Sequence, residues 1–264
     1  MQLVDQLGRN IIASDCPQRI ISLVPSQTEF LVDIGLEVQI AGITNFCVHP
    51  PHLRSQKARV GGTKTPDLDK IRSLKPDFIL ANKEENSAES INELMAEFPV
   101  WISDIHTLDD SIHMMQSIGD LCKRQKKTET LISEIKESFR KLPIFEPERE
   151  PTAIYLIWKD PYMTISGETF IGSMMREIGL RNPFEKEESR YPELTIDSLK
   201  KISPDYLLLS SEPYPFKRKA KSFFEEALPN TRVLLVDGEM FSWYGSRMVY
   251  SAEYFLNLFR TETL

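Results

Sequence analysis

Short runs of apolar residues alternate along most of the chain with segments whose apolar residues recur every three or four positions. The β-branched run RIISLV at 19–24 predicts a strand, and the segment SQTEFLVDIGL after it predicts a helix. Ser26 is the predicted N-cap of this helix, Glu29 closes a capping box, and Gly35 stops the helix. By the same criteria we predict strands at 40–44, 77–81, 99–102, 153–158, 205–210 and 232–237, and helices at 67–74, 87–97, 170–178, 217–227 and 246–260. This alternation predicts mostly parallel sheets covered by helices.

The segment from 108 to 142 has a different pattern. It contains no Pro and a single Gly at 119, and its apolar residues keep helical spacing throughout. It therefore predicts one or two long helices. A Pro-rich, charged stretch at 143–151 follows and is typical of a domain boundary.

An internal repeat indicates two related halves. The segment LDKIRSLKPDFIL at 68–80 aligns without gaps on IDSLKKISPDYLL at 196–208. In each copy an Asp is predicted to cap a helix, and a Pro-Asp pair is predicted to end that helix and begin a buried strand. Such a unit could occur in any α/β protein, but a second similarity, between 28–36 and 169–180, favours a true repeat. We predict an α/β fold with an N-terminal lobe at 1–121, a connecting helix at 122–142 and a C-terminal lobe at 143–264.

Composition narrows the possible partners. The chain has 264 residues, a net charge of −7 and no basic stripe, so neither nucleic acid nor an anionic membrane is expected as a partner. No apolar run approaches the roughly 18 residues of a membrane-spanning helix, and MQLVDQLGRN lacks the features of an export signal. Cys16, Cys47 and Cys122 are odd in number and far apart in sequence, so no disulfide framework is expected.

Candidate binding residues follow the predicted strands. In proteins with two α/β lobes, ligands bind in the cleft beyond the carboxyl ends of the strands. Aromatic residues in these loops suit ligand stacking, and Arg247 could face an anionic group, although packing or a charged loop cap would also explain several of these residues. The candidates selected by position are Ser26, Lys83, Glu84, Trp158, Tyr162, Trp243, Tyr244 and Arg247.

Two further loops contain chemically active residue types. Cys47 and His49, in FCVHPPH, could contact a ligand or a metal, but a buried thiol beside a loop His is the simpler interpretation. Lys64, in GGTK, could point into the cleft, and a plain turn explains the segment equally well. No known catalytic motif occurs, so we expect no enzyme activity, no catalytic residues and no protein-bound metal.

Several motifs together resemble one family. The segments PQRIISLVPSQTEFLVDIGL, VGGTKTPDLDKIRSLKPDFILA, TISGETFIGSMMREIGL and SRMVYSAEYFLNLF are similar to those of the substrate-binding proteins of ABC importers that have a helical interdomain backbone. That family includes binding proteins for cobalamin, iron-siderophores and haem. The resemblance implies two Rossmann-like lobes joined by a long rigid helix, a monomer, and a permease with its ATPase as partners.

The resemblance also implies roles for particular residues. Asp69 and Asp197 occupy the positions of the acidic residues that dock onto the permease, although each could serve only as a helix cap. Where cobalamin-binding members have two Trp residues, this chain has Lys64, or a residue near it, and Tyr191. These differences favour an acidic ligand or a different chelate, and Tyr191 could instead be a haem ligand. A corrinoid and a ferric siderophore are the leading ligands, with no intrinsic cofactor.

The sequence leaves a second location and a second function open. VDQLGRNI resembles the segment that follows the signal peptide or lipid-anchored linker in this family, which implies a periplasmic or cell-envelope protein. If Met1 is the native start, the chain is cytoplasmic. In that case the alternative function is a metal-dependent enzyme or metallo-cofactor handler using Cys47 and His49, with Glu84 or Glu85 as acid or base.

Overall fold

The computed structural model describes residues 2–142 and 150–260. Contacts between residues divide the chain into two compact units. Unit 1 comprises Met1–Ile105, Asp109–Lys136 and Trp243–Val249, and unit 2 comprises His106–Leu108, Glu137–Ser242 and Tyr250–Leu264. Residues 243–249, which fall within the predicted C-terminal lobe, thus cluster with unit 1. Most of the predicted boundary stretch, 143–149, lies outside the described residues.

A parallel five-stranded sheet in the order β5-β4-β3-β6-β7 forms the centre of unit 1. The strands before residue 106 are β1 (Gln2–Val4), β2 (Asn10–Ile12), β3 (Ile20–Ser22), β4 (Ile40–Ile43), β5 (Ala58–Arg59), β6 (Phe78–Asn82) and β7 (Val100–Ser103). The helices up to residue 142 are α1 (Pro25–Asp33), α2 (Leu53–Gln56), α3 (Leu68–Ser73), α4 (Ala88–Met95), α5 (Leu108–Leu121) and α6 (Gln125–Phe139). The apolar core of unit 1 includes Ile21, Ile79 and Val100.

A parallel three-stranded sheet in the order β12-β11-β8 forms the centre of unit 2. The strands after residue 150 are β8 (Ala153–Leu156), β9 (Tyr162–Met163), β10 (Glu193–Leu194), β11 (Tyr206–Ser210) and β12 (Arg232–Val236). The helices are α7 (Phe170–Glu177), α8 (Ile196–Ile202), α9 (Arg218–Ala227), α10 (Gly238–Ser242) and α11 (Met248–Arg260). The predicted α/β class with mostly parallel sheets is confirmed, whereas the antiparallel pairs β1–β2 and β9–β10 and helix α10 were not predicted.

Helix α1 begins differently from the prediction and ends as predicted. Its N-cap is Val24, which makes no side-chain cap hydrogen bond, and Pro25 is the first helical residue, so the predicted Ser26 cap and capping box are wrong. At the other end Gly35 has φ +81°. The Gly35 and Leu36 N–H groups donate to earlier carbonyls in a Schellman motif, at 2.8 Å each. Helix α7, the partner of α1 in the second sequence similarity, ends in the same way at Gly179.

Two helices occupy the long apolar segment. Helix α5 ends at Leu121, Lys123 takes a left-handed φ of +54°, and α6 begins at Gln125. The helix predicted at 122–142 therefore covers only 125–139. Gly119 allows the two helices to pack closely, because a Cβ atom at this position would lie 2.9 Å from the Cβ atom of Thr128.

The internal repeat has a shared structural role at its Pro-Asp pair. Asp77 accepts backbone N–H bonds from Gln18 and Arg19, at 2.7 and 2.8 Å, just before strand β3. Asp205 accepts the N–H of Thr152 at 2.7 Å and its hydroxyl at 2.6 Å, just before strand β8. Each Asp thereby fixes the start of the strand that neighbours its own strand in the sheet.

The caps of the repeated helices are not the predicted ones. The side chain of Asp67 caps α3 and that of Thr195 caps α8, which also has a capping box with Ser198. Asp69 and Asp197 lie instead in the first turns of these helices. There a carboxylate interacts favourably with the helix dipole.

The hairpin of β1 and β2 protects one edge of the unit 1 sheet. The Gln6 N–H donates to the carbonyl of Ile102 in edge strand β7, at 3.3 Å. Buried Asp5 accepts from the N–H groups of Leu7, Arg9 and Ile102, at 3.0, 2.9 and 3.3 Å. The hairpin thus covers polar backbone groups that an edge strand would otherwise leave exposed.

Candidate ligand-binding site

A buried polar network lies at the carboxyl ends of β6 and β7 in unit 1. The hydroxyl of Ser103 accepts from Gln27 Nε2 at 2.7 Å and from Asn82 Nδ2 at 2.9 Å. Asn82 Oδ1 accepts the N–H groups of Glu84 and Glu85, at 2.8 and 2.9 Å. This network fixes the loop after β6, where Lys83 and Glu84 were predicted to contact ligand.

Tyr244 joins the same network from residues 243–249. Its hydroxyl accepts from Gln27 Nε2 and donates to Glu85 Oε1, at 3.3 Å each. Burial is the main reason that the pKa of Tyr244 lies well above its ordinary value, so the phenol stays neutral. Tyr244 and the predicted site residue Ser26 are only 4% and 5% exposed, so both are largely enclosed within unit 1.

Arg247 faces an anion that belongs to the protein itself. Its Nε and Nη2 atoms donate to the two carboxylate oxygens of Glu29, at 2.8 and 2.7 Å, and both residues are buried. Burial raises the pKa of Glu29, and the hydrogen bond and charge of Arg247 oppose that rise. Arg247 was predicted to lie in the first turn of the last helix, but α11 begins one residue later, at Met248.

Trp243 lies between two cationic or ionisable groups of unit 1. The guanidinium carbon of Arg247 is 5.0 Å from the centre of its ring, within cation–π range. The His49 ring meets it edge-on, with centroids 5.5 Å apart. Trp243 is 9% exposed, so the predicted stacking on a ligand would involve only a small part of the ring.

Cys47 is a core residue. It has no exposed surface, and its Sγ atom lies 3.1 Å from Thr28 Oγ1 and 3.3 Å from Thr44 Oγ1. Burial raises the pKa of the Cys47 thiol. Within residues 2–142 and 150–260, no three His, Cys, Asp or Glu side chains are grouped to hold a metal ion. The simpler interpretation of a buried thiol therefore fits, and the proposed Cys47–His49 metal pair has no support from the geometry.

Lys64 and Lys83 are exposed and make local contacts in unit 1. Lys64 Nζ donates to the Glu84 carbonyl, and Lys83 Nζ donates to Asp104 Oδ2 at 2.6 Å. Their contacts hold the loop after β6 without burying either charge.

In unit 2 the predicted aromatic residues converge on one antiparallel ribbon. Trp158 follows β8 and is 42% exposed, and Tyr162 lies in β9. Tyr191 is half-buried just before β10, beside a Thr164 N–H that donates to the Pro192 carbonyl at 2.9 Å. The short ribbon thus joins the segment of Tyr191 to a segment whose Tyr162 lies 29 positions earlier in the sequence.

A cavity of about 520 Å³ adjoins this ribbon and combines aromatic surface with positive charge. Its lining includes Lys159, Lys217 and Lys219, on a protein with a net charge of −7. The Lys159 Nζ atom lies 4.0 Å from Asp160 Oδ2, which is the longest separation accepted for an ion pair. Such a lining suits a ligand with an apolar body and acidic groups. The complete lining comprises Lys159, Tyr162, Tyr214, Pro215, Lys217, Lys219, Ala220 and Phe223.

The two predicted docking residues are exposed. The side chain of Asp69 is 95% exposed and accepts from Arg72 Nη1 at 3.0 Å. Asp197 is exposed in the first turn of α8. Either carboxylate is accessible to a protein partner on the surface of its own unit.

Three features of these surfaces were not predicted from the sequence. Phe46 is 58% exposed in the loop after β4 that also contains Cys47 and His49. Tyr214 packs edge-on against Trp158, with centroids 5.9 Å apart. The basic run KRKAK at 217–221 supplies two lysines of the cavity, and its contrast with the acidic chain was the available signal.

Two α/β units with aromatic and ionisable side chains at the carboxyl ends of parallel strands define a small-molecule binding protein. Residues 20–234 match the periplasmic binding protein family, and the chain belongs to that family. It is a binding protein and not an enzyme. Among the described residues no helix has both the length and the apolar character needed to cross a membrane.

Individual relatives are distant and cover nearly the whole chain. An uncharacterized ABC transporter substrate-binding lipoprotein of Bacillus subtilis is 24% identical over 260 residues, covering 94% of this chain and 82% of the relative. A vitamin B12-binding protein of Pectobacterium carotovorum is 23% identical over 242 residues, which cover 90% of this chain and 86% of the relative. The petrobactin-binding protein YclQ of Bacillus subtilis has a solved structure that matches with a TM-score of 0.80 at 16% identity. The match covers 97% of this chain and 96% of YclQ.

Proposed function

We propose that this protein is the substrate-binding component of an ABC importer and that it binds a metal chelate, either a corrinoid or a ferric siderophore. The observation that carries the proposal is the unit 2 cavity, where aromatic rings and three lysines meet after strands β8 and β11. Relatives that bind vitamin B12 and petrobactin support the ligand class. The metal would arrive inside the ligand, so no intrinsic cofactor is needed.

The lysines and the aromatic rings have separate roles in this proposal. The ammonium groups of Lys217 and Lys219 attract the acidic groups of the chelate, while Tyr162, Tyr214 and Phe223 contact its apolar body. A cavity of about 520 Å³ falls within the range of small-molecule sites and holds part of a large chelate or all of a small one. Trp158 extends the aromatic surface toward solvent.

Calorimetric titration of the purified protein tests ligand identity. The ligands are cyanocobalamin, haemin, a ferric catecholate and a ferric hydroxamate. We expect one of the corrinoid or siderophore ligands to bind with a Kd of micromolar or below, the range typical of specific small-molecule binding. Binding of haemin alone, lost in Tyr191→Phe, would replace the proposed ligand class with haem. Failure of all four ligands to bind would refute the proposal.

Paired lysine variants test the site within unit 2. Lys217→Ala with Lys219→Ala should weaken binding at least about tenfold, because two charge-assisted contacts are lost. The matched control is Lys200→Ala with Lys201→Ala, which removes two lysines from the last turn of α8, outside the cavity lining. Equal affinity of the site variant and the control would show that the chelate binds elsewhere.

We further propose a cell-envelope location and a permease with its ATPase as partners, with Asp69 and Asp197 as the docking residues. Asp69→Lys and Asp197→Lys should abolish stimulation of the cognate permease–ATPase in nanodiscs while leaving ligand affinity unchanged. Glu89→Lys, an exposed acid in the first turn of α4, is the charge-matched control. Full stimulation by both Asp variants would contradict the docking role.

A further inference from the structure

Two cysteines that are 106 positions apart in sequence lie side by side in unit 1. Cys16 Sγ is 3.6 Å from the backbone oxygen of Cys122, and the Cys16 N–H donates to the Leu121 carbonyl at 3.2 Å. The adjacent residues also pair, because Lys123 Nζ donates to Asp15 Oδ2 at 2.6 Å. Cys16 and Cys122 are therefore close in space, although their distance in the sequence argued against a disulfide.

We propose that Cys16 and Cys122 form a disulfide when the protein meets a disulfide oxidant such as oxidised glutathione. The hydrogen bond between residues 16 and 121 limits the separation of the two Cα atoms to at most about 7.5 Å by standard backbone dimensions. Native disulfides span about 4.4–6.8 Å between Cα atoms, so a small adjustment at most is needed. The pairing does not depend on the proposed ligand or permease.

The two thiols differ in accessibility, which sets the order of the reaction. Cys16 is half-buried and Cys122 has no exposed surface. The Cys16 thiolate attacks the glutathione disulfide, forming a mixed disulfide and releasing one glutathione thiolate. The Cys122 thiol then loses its proton to solvent and attacks the Cys16 sulfur, releasing the second glutathione. Two protein thiols are oxidised, and one glutathione disulfide is reduced to two thiols.

The local environment makes the second step the slower one. Burial, with a smaller effect from Cys16, raises the pKa of Cys122 to about 12. The thiolate is the attacking species, so ring closure should accelerate about tenfold per pH unit below that value. Cys16 has a left-handed φ of +58°, and its N–H is held by the Leu121 carbonyl.

Cys47 provides an internal control. It is fully buried, and the two contacts of its sulfur are the hydroxyls of Thr28 and Thr44. It should remain a thiol while the other two cysteines become linked.

The test is peptide mapping of the full chain after incubation with oxidised glutathione at pH 8, without reduction. We expect the intact mass to fall by about 2 Da, a linked peptide joining Cys16 to Cys122, and Cys47 in the thiol form. Oxidation should raise the melting temperature by several degrees in wild type and in Cys47→Ser, reversibly with reductant, and should not do so in Cys16→Ser. A stable glutathione adduct on Cys16, a link to Cys47, or three unmodified thiols after prolonged incubation would overturn the proposal.

Discussion

Replacing Arg247 by Met tests whether the buried pair with Glu29 holds residues 243–249 to helix α1 in unit 1. Met keeps most of the side-chain volume and removes the two hydrogen bonds of 2.8 and 2.7 Å. Breaking a buried pair from one side costs about 3–5 kcal/mol, because the remaining charge is left uncompensated. Loss of the cation–π contact with Trp243 adds about 0.5–2 kcal/mol.

The loss of unfolding free energy in Arg247→Met should depend on pH in a defined direction. Burial already raises the pKa of Glu29, and loss of Arg247 removes the main opposing contribution, so this pKa rises further in the variant. Between the unfolded and folded pKa values of Glu29, the folded variant holds a proton that the unfolded chain lacks. Its stability then increases as pH falls, by about 1.4 kcal/mol per pH unit in that window. The deficit of the variant should therefore be larger at pH 7 than at pH 5.

Urea unfolding of wild type, Arg247→Met and the double variant Glu29→Met with Arg247→Met measures these effects. The double variant should recover most of the loss, because the buried Glu29 carboxylate is no longer left unpaired. Arg72→Met is the matched control at a surface Arg that pairs with exposed carboxylates, and it should cost far less. A loss below about 1 kcal/mol in Arg247→Met, or a double variant no more stable than the single one, would refute the reasoning.

Three further substitutions test the packing, the hairpin and the repeat. Gly119→Ala should destabilise the protein by about 1–3 kcal/mol in urea, because the new methyl group overlaps Thr128, and an unchanged midpoint would disprove the close approach. Asp5→Ala should cost at least about 2 kcal/mol by leaving buried N–H groups without an acceptor, and a smaller loss would show that water replaces the carboxylate. Hydrogen bonds from Thr152 lower the pKa of Asp205, so its stabilising effect is present above the unfolded pKa and is lost as pH falls through the folded one. Asp205→Asn should therefore lower the melting temperature at pH 7 and converge with wild type near pH 2, and an equal deficit at both pH values would contradict this.

Local signals determined how much of the fold could be predicted. Periodicity and turn residues located the strands and helices around the parallel sheets, and Gly35 marked the end of α1 because a left-handed position favours glycine. The two antiparallel ribbons were missed because strands of two or three residues are too short to show alternation. Ser26 was misassigned as a cap because Pro25 already fits the first helical turn.

The candidate site was less predictable because it depends on contacts between distant residues. Position after a strand selected Tyr162, which lines the unit 2 cavity, and Trp158, which packs against the lining residue Tyr214; their contact with a ligand stays a prediction. It could not show that Arg247 has Glu29, 218 positions away, as its partner. Nor could it show that Cys16 and Cys122 adjoin, since sequence spacing carries no information about the packing of helix ends.

The carboxylates of the two Pro-Asp pairs accept mainly backbone N–H groups. This determines which substitutions are permitted at the residues that donate to them. Because Asp77 accepts main-chain N–H groups at residues 18 and 19, its own contacts there do not depend on which side chain is present. Proline is the exception, since it has no N–H to donate. Position 152 is more demanding, because Asp205 also binds the hydroxyl of Thr152. A mutational scan should therefore favour Ser or Thr at 152 and disfavour Pro at 18 and 19. At 19, replacement of Arg also removes its hydrogen bonds to the Leu74 and Lys75 carbonyls.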